Sequence, residues 1–208
     1  MSPRTPTAPT EEEVRNLLRA VIDPELGDNI VDLGMAGDIT MVDGVVTITL
    51  RRPEKKNAAN AEVLCRLFDA WVRLDTDDSL RVAILTGKGD TFCAGMDLSR
   101  AGNVFGLDET LEPTMEDMRQ RLDDPEIEEG VRDTGGQVVL AIYDCKKPII
   151  AAINGAAVGI GATMTCAMDI RVVCERTKVG FVFNKIGITP EACSSWFLPR
   201  LVGMQQAL

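Results

Sequence analysis

Two apolar runs that each end in glycine constrain this chain most: RVAILTG at residues 81–87 and PIIAAING at 148–155. Both read as strands buried on two faces, and an apolar stretch with helical character follows the second. Ahead of the first lies a helical stripe of Leu64, Leu67, Phe68 and Trp71, the pattern of a helix packed on a core. Buried strands alternating with helices predict an α/β fold around a parallel sheet. At 208 residues the chain is long enough to bury such a core as one domain with a small extra piece.

Other elements are legible around these runs. Thr10 and Glu13 form a capping box ahead of Val14, Leu17, Leu18 and Val21, which share one helical face. DITM and VVTITL flank VDG, a hairpin signal with Val46, Ile48 and Leu50 on one side of the second strand. RRPEKKNAAN is a basic loop, and residues 107–133 carry eleven acids against three bases. That acidic run reads as a solvated excursion, with a lid over a site as the functional alternative. The first ten residues, MSPRTPTAPT, are Pro/Thr-rich with no apolar centre and read as a disordered lead, not a signal peptide.

Composition removes several classes of function. With 32 acids against 22 bases the net charge is -10, which opposes unassisted binding to nucleic acid. The chain has no histidine, which excludes a Ser-His-Asp hydrolase and removes the commonest transition-metal ligand; no metal site is expected. Six cysteines without a CxxC pair predict free thiols and a reduced, cytoplasmic setting. No apolar run is long enough to span a bilayer, so no membrane partner is expected.

Backbone amides are the first candidate chemical groups. In FCAGMD, residues 92–97, Gly95 lets the chain turn sharply past a strand and present the N–H of Met96. In NGAAVGIGATM, residues 154–164, Gly159 and Gly161 flank Ile160 at a helix opening, a place that attracts negative charge. No GK[ST] follows, against a phosphate loop. The one acid of GITPEACSSWFLPRLVG, Glu191, has two readings. Thr189 and Pro190 can start a helix whose first turn favours an acid, or the carboxylate is a catalyst.

As a set, VVTITLRRPEKKNA, RVAILTGKGDTFCAGMDL, KKPIIAAINGAAVGIGA, MDIRVV and GITPEACSSWFLPRLVG resemble the enoyl-CoA hydratase/isomerase (crotonase) superfamily, from about Val42 to Leu208. The resemblance implies a crotonase-like core of repeated β-β-α units. It implies an oxyanion hole at the N–H groups of Met96 and Ile160, an acyl-CoA substrate, and no cofactor beyond the coenzyme A of that substrate. EKKNA and AGMDL would hold the coenzyme, through Lys56, Ala58, Ala94, Gly95, Asp97 and Leu98, with Lys55 or Lys56 offering charge to a phosphate. Gly159, Gly161 and Phe183 complete the expected substrate contacts. The two glutamates of the family's hydratases fall on Thr163 and Phe183, neither of which can activate water. ITPEACSSWFLPR instead looks like the Δ3,Δ2-enoyl-CoA isomerase branch, where the Glu after Pro is the acid/base; that position is Glu191. Phe181, Phe183, Ile188 and Trp196 are expected around it, so that desolvation raises its pKa while a helix start lowers it.

Residues 14–42 resemble a different family, the MIP18-type (DUF59) domain associated with iron-sulfur cluster assembly, through DPELGDNIVDLG. Where that family continues to an SPGCP cysteine loop, this chain reads RRPEKKN. The expected organisation is a lead over 1–10, a MIP18-like piece over 11–42 and a crotonase-like acyl-CoA domain over 43–208, short of that family's C-terminal helices. Those helices cover the acyl pocket and build homotrimers or hexamers in the family. Four readings stand: an enoyl-CoA isomerase, a crotonase of other acyl-CoA specificity, a non-catalytic iron-sulfur assembly scaffold, and an inactive fragment.

Overall fold

The computed structural model describes residues 40–99, 120–121 and 133–208. The expected helix at 10–21 and most of the acidic run lie outside the described residues. Strands β1 (Thr40–Val42) and β2 (Val45–Leu50) form the antiparallel hairpin that VDG signals. Its turn residues Asp43 and Gly44 have φ of 50° and 78°, the left-handed pair that a two-residue hairpin needs. Helix α1 (Ala61–Thr76) follows, started by Asn60, whose side chain accepts from the Val63 N–H at 3.0 Å.

The rest is a threefold repeat of two strands and a helix. Strands β3 (Val82–Gly87) and β4 (Thr91–Cys93) precede α2 (Thr134–Asp144). β5 (Ile149–Ile153) and β6 (Ala156–Val158) precede α3 (Ile160–Ala167). β7 (Ile170–Val173) and β8 (Lys178–Gly180) precede the short α4 (Phe183–Ile186). In each unit the first strand joins one sheet and the second joins another, giving the orders β1-β2-β3-β5-β7 and β4-β6-β8. Pairing is parallel throughout except in the hairpin. Helices α5 (Ser194–Val202) and α6 (Met204–Ala207) end the chain.

The α/β expectation and the β-β-α repeat hold, with two differences. β3 and β5 are not covered equally on both faces: Ala83, Leu85, Ile149, Ala151 and Ile153 point into the core, while their neighbours are half-buried. The second sheet has no clear sequence signal, because strands of three residues are too short to show a period. The helical stripe is buried through Leu64, Leu67, Trp71 and Leu74, whereas Phe68 lies at its margin, 38 % exposed. At the far edge β7 leaves Ile170, Val172 and Val173 at least half exposed. No helix among the described residues is long and apolar enough to cross a membrane.

Candidate functional site

The basic loop after β2 is held by two residues that sequence reasoning passed over. Asn57 is 2 % exposed; its amide donates to the carbonyls of Lys88 at 3.0 Å and Thr91 at 2.7 Å, and its Oδ1 accepts from the Arg52 N–H at 2.9 Å. Arg52 reaches the Ala58 carbonyl at 2.6 Å and the Asp97 carboxylate at 2.8 Å. The Ser99 hydroxyl and that guanidinium hold the Asp97 carboxyl well below the usual carboxylate range. Asn57→Ala would leave three backbone groups, the buried Thr91 carbonyl among them, without this partner and is expected to cost about 1–3 kcal/mol, read as a lower thermal midpoint.

This bracing lays residues 56–59 alongside 94–97. The Ala94 N–H donates to Lys56 O at 3.0 Å, Ala59 N–H to Gly95 O at 2.8 Å, and Asp97 N–H to Ala59 O at 2.7 Å. The parallel bridge from Ala59 to Met96 uses the groups on either side of Met96, which turns the Met96 N–H to the opposite face. EKKNA and AGMDL therefore meet, with Lys55, Lys56 and Leu98 exposed beside them.

The second amide arrives through sheet pairing. β4 pairs in parallel with β6, so the turns after Cys93 and after Val158 lie side by side. Gly95 and Gly159 make these turns at φ of 106° and 53°, open to glycine at little cost, and a Cβ on Gly159 would lie 3.7 Å from Gly95 Cα. Ile160 is the first residue of α3, a position whose N–H has no partner within its helix. Among the described residues neither the Met96 nor the Ile160 N–H donates to another group. Gly161, on the other side of Ile160, lies within α3 and lets that helix touch β4, since a Cβ there would stand 2.5 Å from Cys93 O.

Glu191 is not in the first turn of a helix. α5 begins three residues later, at Ser194, because Ala192 and Cys193 adopt left-handed φ of 50° and 57°. Such values in residues other than glycine carry strain and concentrate at functional sites. The turn closes through the Ser194 N–H to Glu191 O at 3.0 Å, and the Glu191 side chain is directed inward. Its Oε1 accepts from the hydroxyl of Thr163, a fully buried residue of α3, at 3.1 Å. A Cβ on Gly135 of α2 would lie 3.4 Å from Glu191 Oε2, 3.1 Å from Asp133 Oδ2 and 3.0 Å from Ile160 Cδ1. Two carboxylates and the residue carrying the second amide thus converge on one glycine.

Burial, then the negative charge of Asp133, pushes the Glu191 carboxyl up to about 7 from 4.5, with the Thr163 hydroxyl opposing. The helix start expected to lower it is absent. Trp196 is 45 % exposed, with the Arg200 guanidinium 3.9 Å over its ring and Tyr143 5.6 Å away. Phe183 is buried at the start of α4, its ring 6.4 Å from that of Phe181. Asp133 went unnoticed because it closes the acidic run; the signal that marks it is its place before Thr-Gly-Gly, as N-cap of α2. Among the described residues no group of three or more His, Cys, Asp and Glu could hold a metal ion, and none of the six cysteines forms a disulfide.

Parallel strands shared alternately between two sheets, with two glycine turns side by side where β4 pairs with β6, define the crotonase class of α/β fold. Residues 40–208 match the enoyl-CoA hydratase/isomerase family, and the chain belongs to it. Residues 11–63 also match an iron-sulfur cluster assembly protein family, so the two matches overlap across the β1–β2 hairpin. The chain is 38 % identical over 166 residues to the enoyl-CoA hydratase ACTT3 of Alternaria alternata, covering 80 % of this chain and 50 % of that protein. To the 1,2-epoxyphenylacetyl-CoA isomerase of Escherichia coli K12 it is 33 % identical over 165 residues, 79 % of this chain and 57 % of the relative. The crystal structure of an enoyl-CoA hydratase/isomerase from Pseudoalteromonas atlantica T6c superposes with a TM-score of 0.63 at 30 % identity, over 83 % of this chain and 59 % of the other. The chain spans about half the length of the curated relatives it matches.

Proposed function

We propose that the chain binds an acyl-CoA and moves a double bond from C3 to C2 of a 3-enoyl thioester, with Glu191 as the proton carrier. The observation that carries this reading is the position of Glu191: its half-buried carboxyl sits on a strained turn, bonded to the buried Thr163 hydroxyl and facing the same glycine as Ile160, and burial pushes it up to about 7. The Glu191 carboxylate takes a proton from C2; the electron pair delocalises into a dienolate whose thioester oxygen accepts from the Met96 and Ile160 N–H groups. The same carboxyl then returns the proton at C4, and the double bond rests between C2 and C3. A pKa near the working pH suits a group that must act as base and then acid. Amides fixed by the β4–β6 pairing stabilise the developing charge without reorganising.

Thr163 and Phe183, at the positions of the hydratase glutamates, carry no carboxylate, which favours isomerisation over water addition. The test is a 3-enoyl-CoA mixed with the protein, followed by absorbance of the conjugated 2-enoyl thioester. Appearance of the band supports the reading; its absence, with consumption of a 2-enoyl-CoA supplied instead, overturns it in favour of hydration.

We assign coenzyme binding to EKKNA (54–58) and AGMDL (94–98), with Lys55 or Lys56 offering charge to a phosphate. Lys55→Ala/Lys56→Ala is expected to weaken acyl-CoA binding roughly two- to tenfold at low salt and to flatten its dependence on ionic strength. Titration calorimetry at two salt concentrations reads both effects.

A further inference from the structure

We propose that Asp133 and Glu191 act as a coupled carboxylate pair, in which Asp133 keeps the negative charge and Glu191 is the member that gains and loses the proton. The inference rests on Glu191 as the proton carrier and makes Asp133 a positioning residue, since it acts through Glu191 and not on the substrate.

The asymmetry comes from what each carboxylate faces. Asp133 caps α2 with φ of -64° and ψ of 157°, and its Oδ1 accepts from the Gly136 N–H at 2.9 Å. The amides of Gly135 and Gly136 favour its charged form against a burial that pushes the carboxyl upward. Glu191 has no helix terminus. Among the described residues it meets Asp133 from α2 and the Thr163 hydroxyl from α3, and no cation contributes to its proton affinity. Both carboxylates face the bare Cα of Gly135, where a Cβ would lie 3.1 Å from Asp133 Oδ2 and 3.4 Å from Glu191 Oε2. Two like charges that face one small space and raise one another's proton affinity titrate as a pair, and the proton goes to the partner with fewer donors. The arrangement places the more basic carboxylate on the strained turn beside Ile160, where a substrate proton would be collected.

Asp133→Asn is the direct test, because Asn caps a helix as well as Asp while removing the charge. Carbon-13 carboxyl NMR of the full chain, with Glu191→Gln to assign the resonance, should show Glu191 titrating about one pH unit or more lower in the variant. The acid limb of the pH profile of kcat/KM for a 3-enoyl-CoA should move by the same amount, while the melting temperature stays near the wild-type value. An unmoved Glu191 titration in a folded Asp133→Asn protein overturns the pair. If that variant does not fold, Asp133→Ser, also a good cap, takes its place. The wild type supplies a reading that needs no change at Asp133: its carboxyl resonance should carry a second step at the Glu191 titration, absent from Glu191→Gln, and lack of that step also overturns the pair. A shifted Glu191 titration without turnover would sustain the pair and sink the isomerase reading, so the two fail separately.

Discussion

Glu191→Gln is expected to lower turnover of a 3-enoyl-CoA by about 10²- to 10⁴-fold, the range for losing a positioned general acid/base. The amide keeps the size and shape of the side chain and can still accept from Thr163, so binding of an acyl-CoA should change little. Thermal melting distinguishes a catalyst from a structural acid, and here the sign can be worked out. In the folded chain the carboxyl titrates at about 7, against an ordinary value of 4.5, so the folded state holds more protons between those values. Stability contributed by the neutral carboxyl is full below about 4.5 and is lost as pH rises through about 7. The Gln variant has no charge to bury and should melt at or above the wild-type temperature at pH 8, with the difference vanishing near pH 4. A variant that melts lower at every pH yet retains turnover would return Glu191 to a structural part.

Gly161→Val should damage the protein as a whole, whereas Met96→Ala should be nearly silent. A Cβ on Gly161 would stand 2.5 Å from Cys93 O and 2.7 Å from Cys93 Cβ, and a strand carbonyl in the core cannot step aside. α3 must therefore move off β4 at a cost of about 1–3 kcal/mol or more, seen as a drop of several degrees in the thermal midpoint. That movement carries the Ile160 N–H away from the Met96 N–H, so turnover should fall by up to about 10²- to 10³-fold, the scale of losing one oxyanion donor. Met96→Ala leaves the bridge to Ala59 and the outward N–H in place, and should keep turnover within a few-fold of wild type. If Gly161→Val lowered stability while turnover stayed intact, the two amides would not be the oxyanion hole.

Glycines and apolar runs carried most of the readable fold. β3 and β5 were visible because a buried parallel strand needs a run of apolar residues, and the hairpin because a left-handed pair of turn residues selects Asp-Gly. The amides of Met96 and Ile160 were legible for a related reason, since the turns at Gly95 and Gly159 impose positive φ that few residues accept. Each of these signals is a local rule of backbone geometry, written within a few residues. Glu191 shows where such rules stop. Thr-Pro-Glu fits a helix start by propensity, yet Ala192 and Cys193 turn left-handed, which only surrounding packing can impose on residues with a Cβ.

Asn57 and Asp133 mark the same limit. One sits in a basic loop and the other at the end of an acidic run, and each reads as solvated until the fold surrounds it. By itself, then, the sequence determined the hairpin, the buried strands of the first sheet, the two glycine turns and the one acid of the segment after them, because dihedral preference and burial period are properties of short segments. The proton affinity of that acid was decided only in three dimensions. It depends on how deeply Glu191 is withdrawn from water and on Asp133 and Thr163, which come from other helices and reach it only when α2 and α3 pack together. Electrostatic energy follows distance through space and the local dielectric, and neither is ordered by position along the chain.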